Sequence, residues 1–133
     1  MKISALFLAT IVSLSAVATM AADTSPLAVV QQQLDTYNAH DIDGFAAVFA
    51  DDAEIFRNIG DAEPRMKGRA AIHAGFGKLF RDNPRNKSTL MGRLVQGDHV
   101  IDHEWITGRD DAFKIVAIYE VKGGLITRAW FIR

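Results

Sequence analysis

The chain is predicted to fold as one α+β domain, and three observations carry that prediction. Apolar residues recur at helical spacing through the first half. Four strand-like segments then follow one another to the end, joined by short glycine turns. The length left after an N-terminal leader suits a single core. Helices first and an antiparallel meander afterwards is the α+β order.

The leader comes first. Met1-Lys2 is a basic start, residues 3–17 are apolar apart from Ser and Thr, and residues 16–22 supply small side chains for cleavage. That is the pattern of a secretory signal peptide. We expect residues 1–21 to be removed, leaving a mature domain of residues 22–133, periplasmic or secreted. The alternative is an uncleaved anchor, since about 20 apolar residues can span a bilayer. The leader's only charge is Lys2, so cleavage leaves a slightly acidic domain in a chain of net charge −1. That balance gives no reason to expect nucleic acid or an anionic membrane as partner. The chain has no cysteine, which excludes thiol catalysis, disulfides and Cys-ligated metals.

Ser25 can cap a helix and Pro26 can occupy its first position. Leu27, Val30, Leu34 and Tyr37 then form one apolar stripe. Asn38-Ala39-His40-Asp41 breaks that helix, and Asp41 or Asp43 caps a second, whose buried face is Ile42, Phe45, Val48 and Phe49. Residues 53–59 alternate as a strand, and residues 60–65 form a loop. A third helix spans about 68–80, with Ile72, Phe76, Leu79 and Phe80 inward. Gly75 and Gly77 each cost it about 1 kcal/mol relative to Ala, so they mark close approach to the sheet or mobility. The later strands are 88–96, 99–107, 112–121 and 125–133.

A two-residue turn at Gly97-Asp98 fixes a register. It pairs Val95 with Val100, Leu94 with Ile101, Arg93 with Asp102 and Gly92 with His103. The next turns set His103 beside Val116, Ile118 beside Ala129, and Val116 beside Phe131. Because side chains alternate between faces, one face carries Ile101, His103, Trp105, Val116, Ile118, Ala129 and Phe131. The other carries Val100, Asp102, Glu104, Ile115, Ala117, Tyr119, Arg128, Trp130 and Ile132. Helices can cover only one face, so the other predicts a homodimer.

The strings YNAHDIDGFAAVFADDAEIF, KGRAAIHAGFGKLF, VIDHEWITG and VAIYEVKGGLITRAWF, in this order and spacing, resemble the NTF2-like superfamily in its SnoaL-like or ketosteroid-isomerase-like branch. The resemblance covers residues 29–133. It implies a cone: a bent, mainly antiparallel sheet wrapped around three N-terminal helices, with an apolar pocket inside. It also implies, often, a dimer through the outer sheet face. Isomerases, cyclases, epoxide hydrolases and non-catalytic binding domains share this fold. Carried over residue by residue, the isomerase's general base falls on Arg57, its oxyanion-binding tyrosine on Gln33, with Tyr37 one turn later, and its protonated aspartate on Val116. A permanently charged arginine cannot serve as a base, so steroid isomerase activity is not expected.

With the first face inside, His103, Arg57 and Tyr37 are the catalytic candidates. Gln33, Ile101, Trp105, Val116, Ile118 and Phe131 are the candidate pocket lining. A histidine in an apolar pocket can exchange protons near neutral pH, although core histidines bonded to a carbonyl are also common. Arg57 can grip a carboxylate bidentately or simply neutralise Glu54, Asp61 or Glu63. Asp102 and Glu104 are placed outside, neutralised by Arg93 and Arg128. No metal site is expected, because His99 and His103 lie ~13 Å apart on one strand. No cofactor is expected, because no nucleotide or phosphate fingerprint is present. Two functions stay open. One is a pocket protein that binds or transforms a small apolar carbonyl or carboxylate compound. The other is a non-catalytic dimeric domain whose cone is filled by its own side chains.

Overall fold

The computed structural model describes residues 20–133. The expected signal peptide, residues 1–21, lies almost wholly outside the described residues. Among the described residues no helix is long and apolar enough to cross a membrane.

Three helices, α1 (Pro26–Ala39), α2 (Ile42–Ala47) and α3 (Arg69–Asp82), pack on a six-stranded sheet. Its strands are β1 (Phe49–Phe56), β2 (Met66–Lys67), β3 (Lys87–Gln96), β4 (His99–Thr107), β5 (Phe113–Lys122) and β6 (Leu125–Ile132), ordered β2-β1-β6-β5-β4-β3. Only the β1–β6 pair is parallel. The α+β expectation and the three helices stand.

Local chemistry explains the helix ends. Ser25 Oγ accepts from the Ala28 N–H, and Pro26 starts α1. Asp41 caps α2 through the Gly44 N–H, 3.0 Å away. Between them His40 closes α1 in the left-handed conformation, φ 53°. The first helix's stripe, the second helix's end and the first strand, which spans Phe49–Phe56 rather than residues 53–59, differ from expectation. Leu27 is 48% exposed and leaves the stripe, which is instead Val29, Val30, Gln33, Leu34 and Tyr37. The second helix stops at Ala47, and Phe49 already belongs to β1, where the Ile126 N–H donates to Val48 O. A six-residue helix supplies few internal hydrogen bonds, and pairing with β6 replaces them. In α3, Gly75 marks close approach. A Cβ there would lie 2.6 Å from Met66 Cε, on β2.

The aromatic rings of Tyr37, Phe45, Phe76 and Phe80 join all three helices, with Phe45 and Phe76 centroids 4.5 Å apart and Tyr37 and Phe80 5.3 Å apart. Edge-on and tilted packing of this kind adds to their area burial.

The β3–β4 register is the one expected, from Val95 opposite Val100 to Gly92 opposite His103, and His103 pairs with Val116 in β5. At the β5–β6 turn, Lys122 pairs with Leu125 and Val121 with Ile126, but Glu120 pairs with Arg128. Thr127 is therefore an extra residue, a β-bulge, and its Oγ1 bonds Glu120 Oε1 at 2.8 Å. The bulge moves Ile118 opposite Trp130 and Val116 opposite Ile132, correcting the expected Ala129 and Phe131 partners. Ala129 and Phe131 change faces with it.

The expected inside and outside are exchanged. Val100, Asp102, Glu104, Ile106, Ala117 and Tyr119 are buried under the helices, while His103, Trp105 and Val116 are exposed. The reason lies in the partners. Arg93, directly across from Asp102, grips both carboxylate oxygens at 2.6 and 2.7 Å and also donates to Gln31 Oε1 of α1. With those bonds made, burying the carboxylate is tolerable. Ile115 and Tyr119 likewise lie inside rather than on the outer apolar face.

Candidate functional site

Between the helices and the inner sheet face lies a cavity of ≈ 430 Å³, more apolar than polar. Leu34 of α1, Phe76 and Leu79 of α3, and Ile106, Ile115 and Phe131 of the sheet form its walls. Its polar groups fall into two sets, one at depth and one among exposed side chains.

The deep set centres on Glu104, which is only 4% exposed. Ser88 Oγ, on β3, donates to Glu104 Oε2 at 2.5 Å. On the other side Tyr119 OH lies 3.5 Å from Glu104 Oε1 and 3.2 Å from Gln33 Oε1. Burial is the main cause that pushes the Glu104 carboxyl above the ordinary carboxylate range, helped by the neighbouring Asp102 charge and opposed by the Ser88 and Tyr119 hydroxyls and by Arg93. Burial also pushes the Tyr119 phenol well up, so it stays a neutral hydroxyl. A proton on Glu104 Oε1 can be donated to Tyr119, leaving the phenol free to donate to Gln33. The arrangement can therefore hold and pass a proton at the cavity's inner end.

The second set is four arginines, Arg57, Arg65, Arg109 and Arg133, all lining the same cavity. Arg57 and Arg65 bracket the loop between β1 and β2, whose end is tied back by the Arg65 N–H to Ile55 O. Arg109 sits in the β4–β5 turn, where Nε donates to Asn86 Oδ1 at 2.6 Å and one Nη donates to Tyr37 OH at 2.8 Å. The guanidinium carbons of Arg109 and Arg133 lie 5.4 and 3.9 Å from the Phe113 ring centre, which a cation–π attraction favours. The turn itself is pressed onto the preceding loop. Gly108 has φ 76°, and a Cβ there would lie 1.7 Å from Arg85 O.

Of the expected site residues, the structure brings Arg57, Tyr37, Gln33 and Phe131 to this cavity. His103, Ile101, Trp105, Val116 and Ile118 stand on the opposite sheet face and cannot reach it, because strand parity puts them with the exposed set. His103 thus shares no site with Arg57. Glu104, Tyr119, Ser88, Arg65, Arg109 and Arg133 were missed as site residues. For Glu104 a signal was available, since its strand neighbour Asp102 faced Arg93 in the expected register. Among the described residues no cluster of His, Asp and Glu could hold a metal.

A family model for the SnoaL-like domain matches residues 30–129. The chain belongs to the SnoaL-like family. Solved structures agree with that fold. An uncharacterised cystatin-fold protein from Novosphingobium aromaticivorans is 26% identical, with TM-score 0.76 over 82% of this chain and 98% of that one. A candidate ketosteroid isomerase from Kribbella flavida is 23% identical, with TM-score 0.68 over 80% and 76%. An epoxide hydrolase of the LEH-like type from Mycobacterium tuberculosis is 18% identical, with TM-score 0.64 over 80% of each chain. No curated protein sequence matches the chain. This SnoaL-like domain has the NTF2-like fold, three helices against a curved six-stranded sheet.

Proposed function

We propose that this SnoaL-like domain is a pocket protein that binds, and can transform by acid–base chemistry, a small and mainly apolar compound carrying a carbonyl or carboxylate. The observation that carries the reading is the ≈ 430 Å³ cavity with a buried carboxyl at depth and arginines around it. An apolar cavity of several hundred Å³ with a few convergent polar groups is the usual form of a small-molecule site. Glu104, whose carboxyl burial holds above the ordinary carboxylate range, donates in its protonated form to a ligand carbonyl oxygen, and Tyr119 and Gln33 take up the hydrogen-bond change. Arg57 and its companions hold an anionic end. The cavity's size argues against a cone filled by its own side chains, even though Tyr37 and Phe131 line it.

Native mass spectrometry of protein purified from its own host tests this. The expected result is an added small-molecule mass that disappears in Ile115→Trp, which fills the cavity. A bare protein mass in both chains would rule the reading out.

Two further features belong to the proposal. The leader pattern supports export, and exported material that still begins at Met1 on N-terminal sequencing would exclude cleavage. Leu94, Trp105 and Val116 are exposed on the outer sheet face, which supports a homodimer through that face.

A further inference from the structure

Charge is distributed unevenly around the cavity. Elsewhere on the domain Arg69 pairs with Asp51, Arg93 with Asp102 and Arg128 with Glu54, while among the described residues Arg81 and Arg85, outside the cavity lining, form no ion pair. Among the described residues, Arg57, Arg65, Arg109 and Arg133 form no ion pair, although Asp61, Glu63, Asp110 and Asp111 lie close to them in the chain. Asp61 instead accepts from the Asn58 backbone N–H at 2.9 Å. Arg109 spends two donors on neutral acceptors, Asn86 and Tyr37, which orient its charge without cancelling it. Inside, Asp102 is already matched by Arg93. Glu104 is the one side-chain carboxyl group in the cavity lining.

A single carboxylate is satisfied by one guanidinium in a bidentate pair. Four guanidiniums without a side-chain carboxylate partner, arriving from two separate loops and the segment after β6, exceed that need. Each is also weakly hydrated and planar, suited to dividing the oxygens of a phosphate or of paired carboxylates.

We infer that the cavity takes an amphiphile with a dianionic head, a phosphate monoester or a geminal dicarboxylate, held by Arg57, Arg65, Arg109 and Arg133 with its apolar body against Phe76, Ile115 and Phe131. The inference rests on the pocket reading above and goes beyond it in assigning the anionic end a double charge. Aromatic and aliphatic walls take the chain, and the head remains among the arginines.

Isothermal titration with n-octyl phosphate, octylmalonate, octanoate, octanol and inorganic phosphate, at pH 8 and low salt, tests it. Octyl phosphate, octylmalonate or both should bind at least about tenfold more tightly than octanoate, and tighter binding of one identifies the head. Arg109→Gln/Arg133→Gln should remove that advantage while leaving octanol binding unchanged. Arg133 is exposed and Arg109 half-buried, so circular dichroism is used to confirm that the variant folds, and Arg133→Gln alone should lower the advantage in the same direction. Equal affinity for octanoate and the dianions overturns the dianionic head but leaves the pocket reading intact. Inorganic phosphate binding as tightly as octyl phosphate overturns the amphiphile. Binding of none of the five overturns the inference and the pocket reading together.

Discussion

Neighbouring side chains of β4 live in different solvents. Asp102 and Glu104 are buried, 0% and 4% exposed, whereas Trp105 between them and the strand end is 46% exposed and His103 also faces out. Hydropathy would assign the two faces the other way round. What separates them is partnership. Asp102 meets a guanidinium and Glu104 meets two hydroxyls, all presented on the inner side by the neighbouring strands β3 and β5. His103 and Trp105 have no such partners there. On a sheet, a charged residue with a complete set of partners can be an inner residue, and a tryptophan without a cover can be an outer one.

The comparison breaks most visibly at Arg93. Arg93→Met should destabilise the domain by about 3–5 kcal/mol, because Asp102 stays buried without its counter-charge. His103→Ala, one residue along on the other face, should cost no more than about 0.5 kcal/mol. Urea denaturation of both variants gives the difference, and similar losses would mean the two faces are not distinguished by pairing.

Glu104 sharpens it through pH. Folding raises its pKa above the ordinary 4.5, so the native state keeps a proton that the unfolded chain releases. Its contribution to stability therefore declines as pH rises from the unfolded value toward the folded one. Glu104→Gln lacks that decline and should gain on the wild type across the same window. Parallel stability curves for the two chains between about pH 4 and 8 would show that Glu104 titrates normally.

The smallest effect on folding is expected outside. Trp105→Glu should change monomer stability by less than about 1 kcal/mol, yet it should disperse the proposed homodimer in sedimentation velocity. A wild type that sediments as a monomer at micromolar concentration would remove the dimer from the proposal.

How much of this was legible follows the range of each interaction. The Ser25 cap, the β3–β4 pairing and its continuation into β5 depend on neighbours close in sequence or on a single turn, and they were read correctly; the second helix's cap was narrowed to Asp41 or Asp43, and Asp41 makes it. The Thr127 bulge was not, because a second glycine-rich turn signals a hairpin but does not show an unpaired residue after it. Which sheet face was inner depended on α1 and on Arg93's grip, contacts between distant segments. Arg57 was singled out, but its grouping with three other arginines was not, for a related reason. Arg57, Arg65, Arg109 and Arg133 are scattered through the sequence, and only the closing of two loops and β6 around one cavity makes them a group.

Gly108 ties the placement of Arg109 to the absence of one methyl group. With a Cβ 1.7 Å from Arg85 O, any other residue must push apart two loops that now touch. Arg109 is the next residue, and Asn86, which holds it, belongs to the loop that would move. A larger residue at this point would thus also unseat one of the cavity's charges. Anyone grafting a different β4–β5 turn onto this scaffold would have to exchange the 83–86 loop at the same time, as a matched pair.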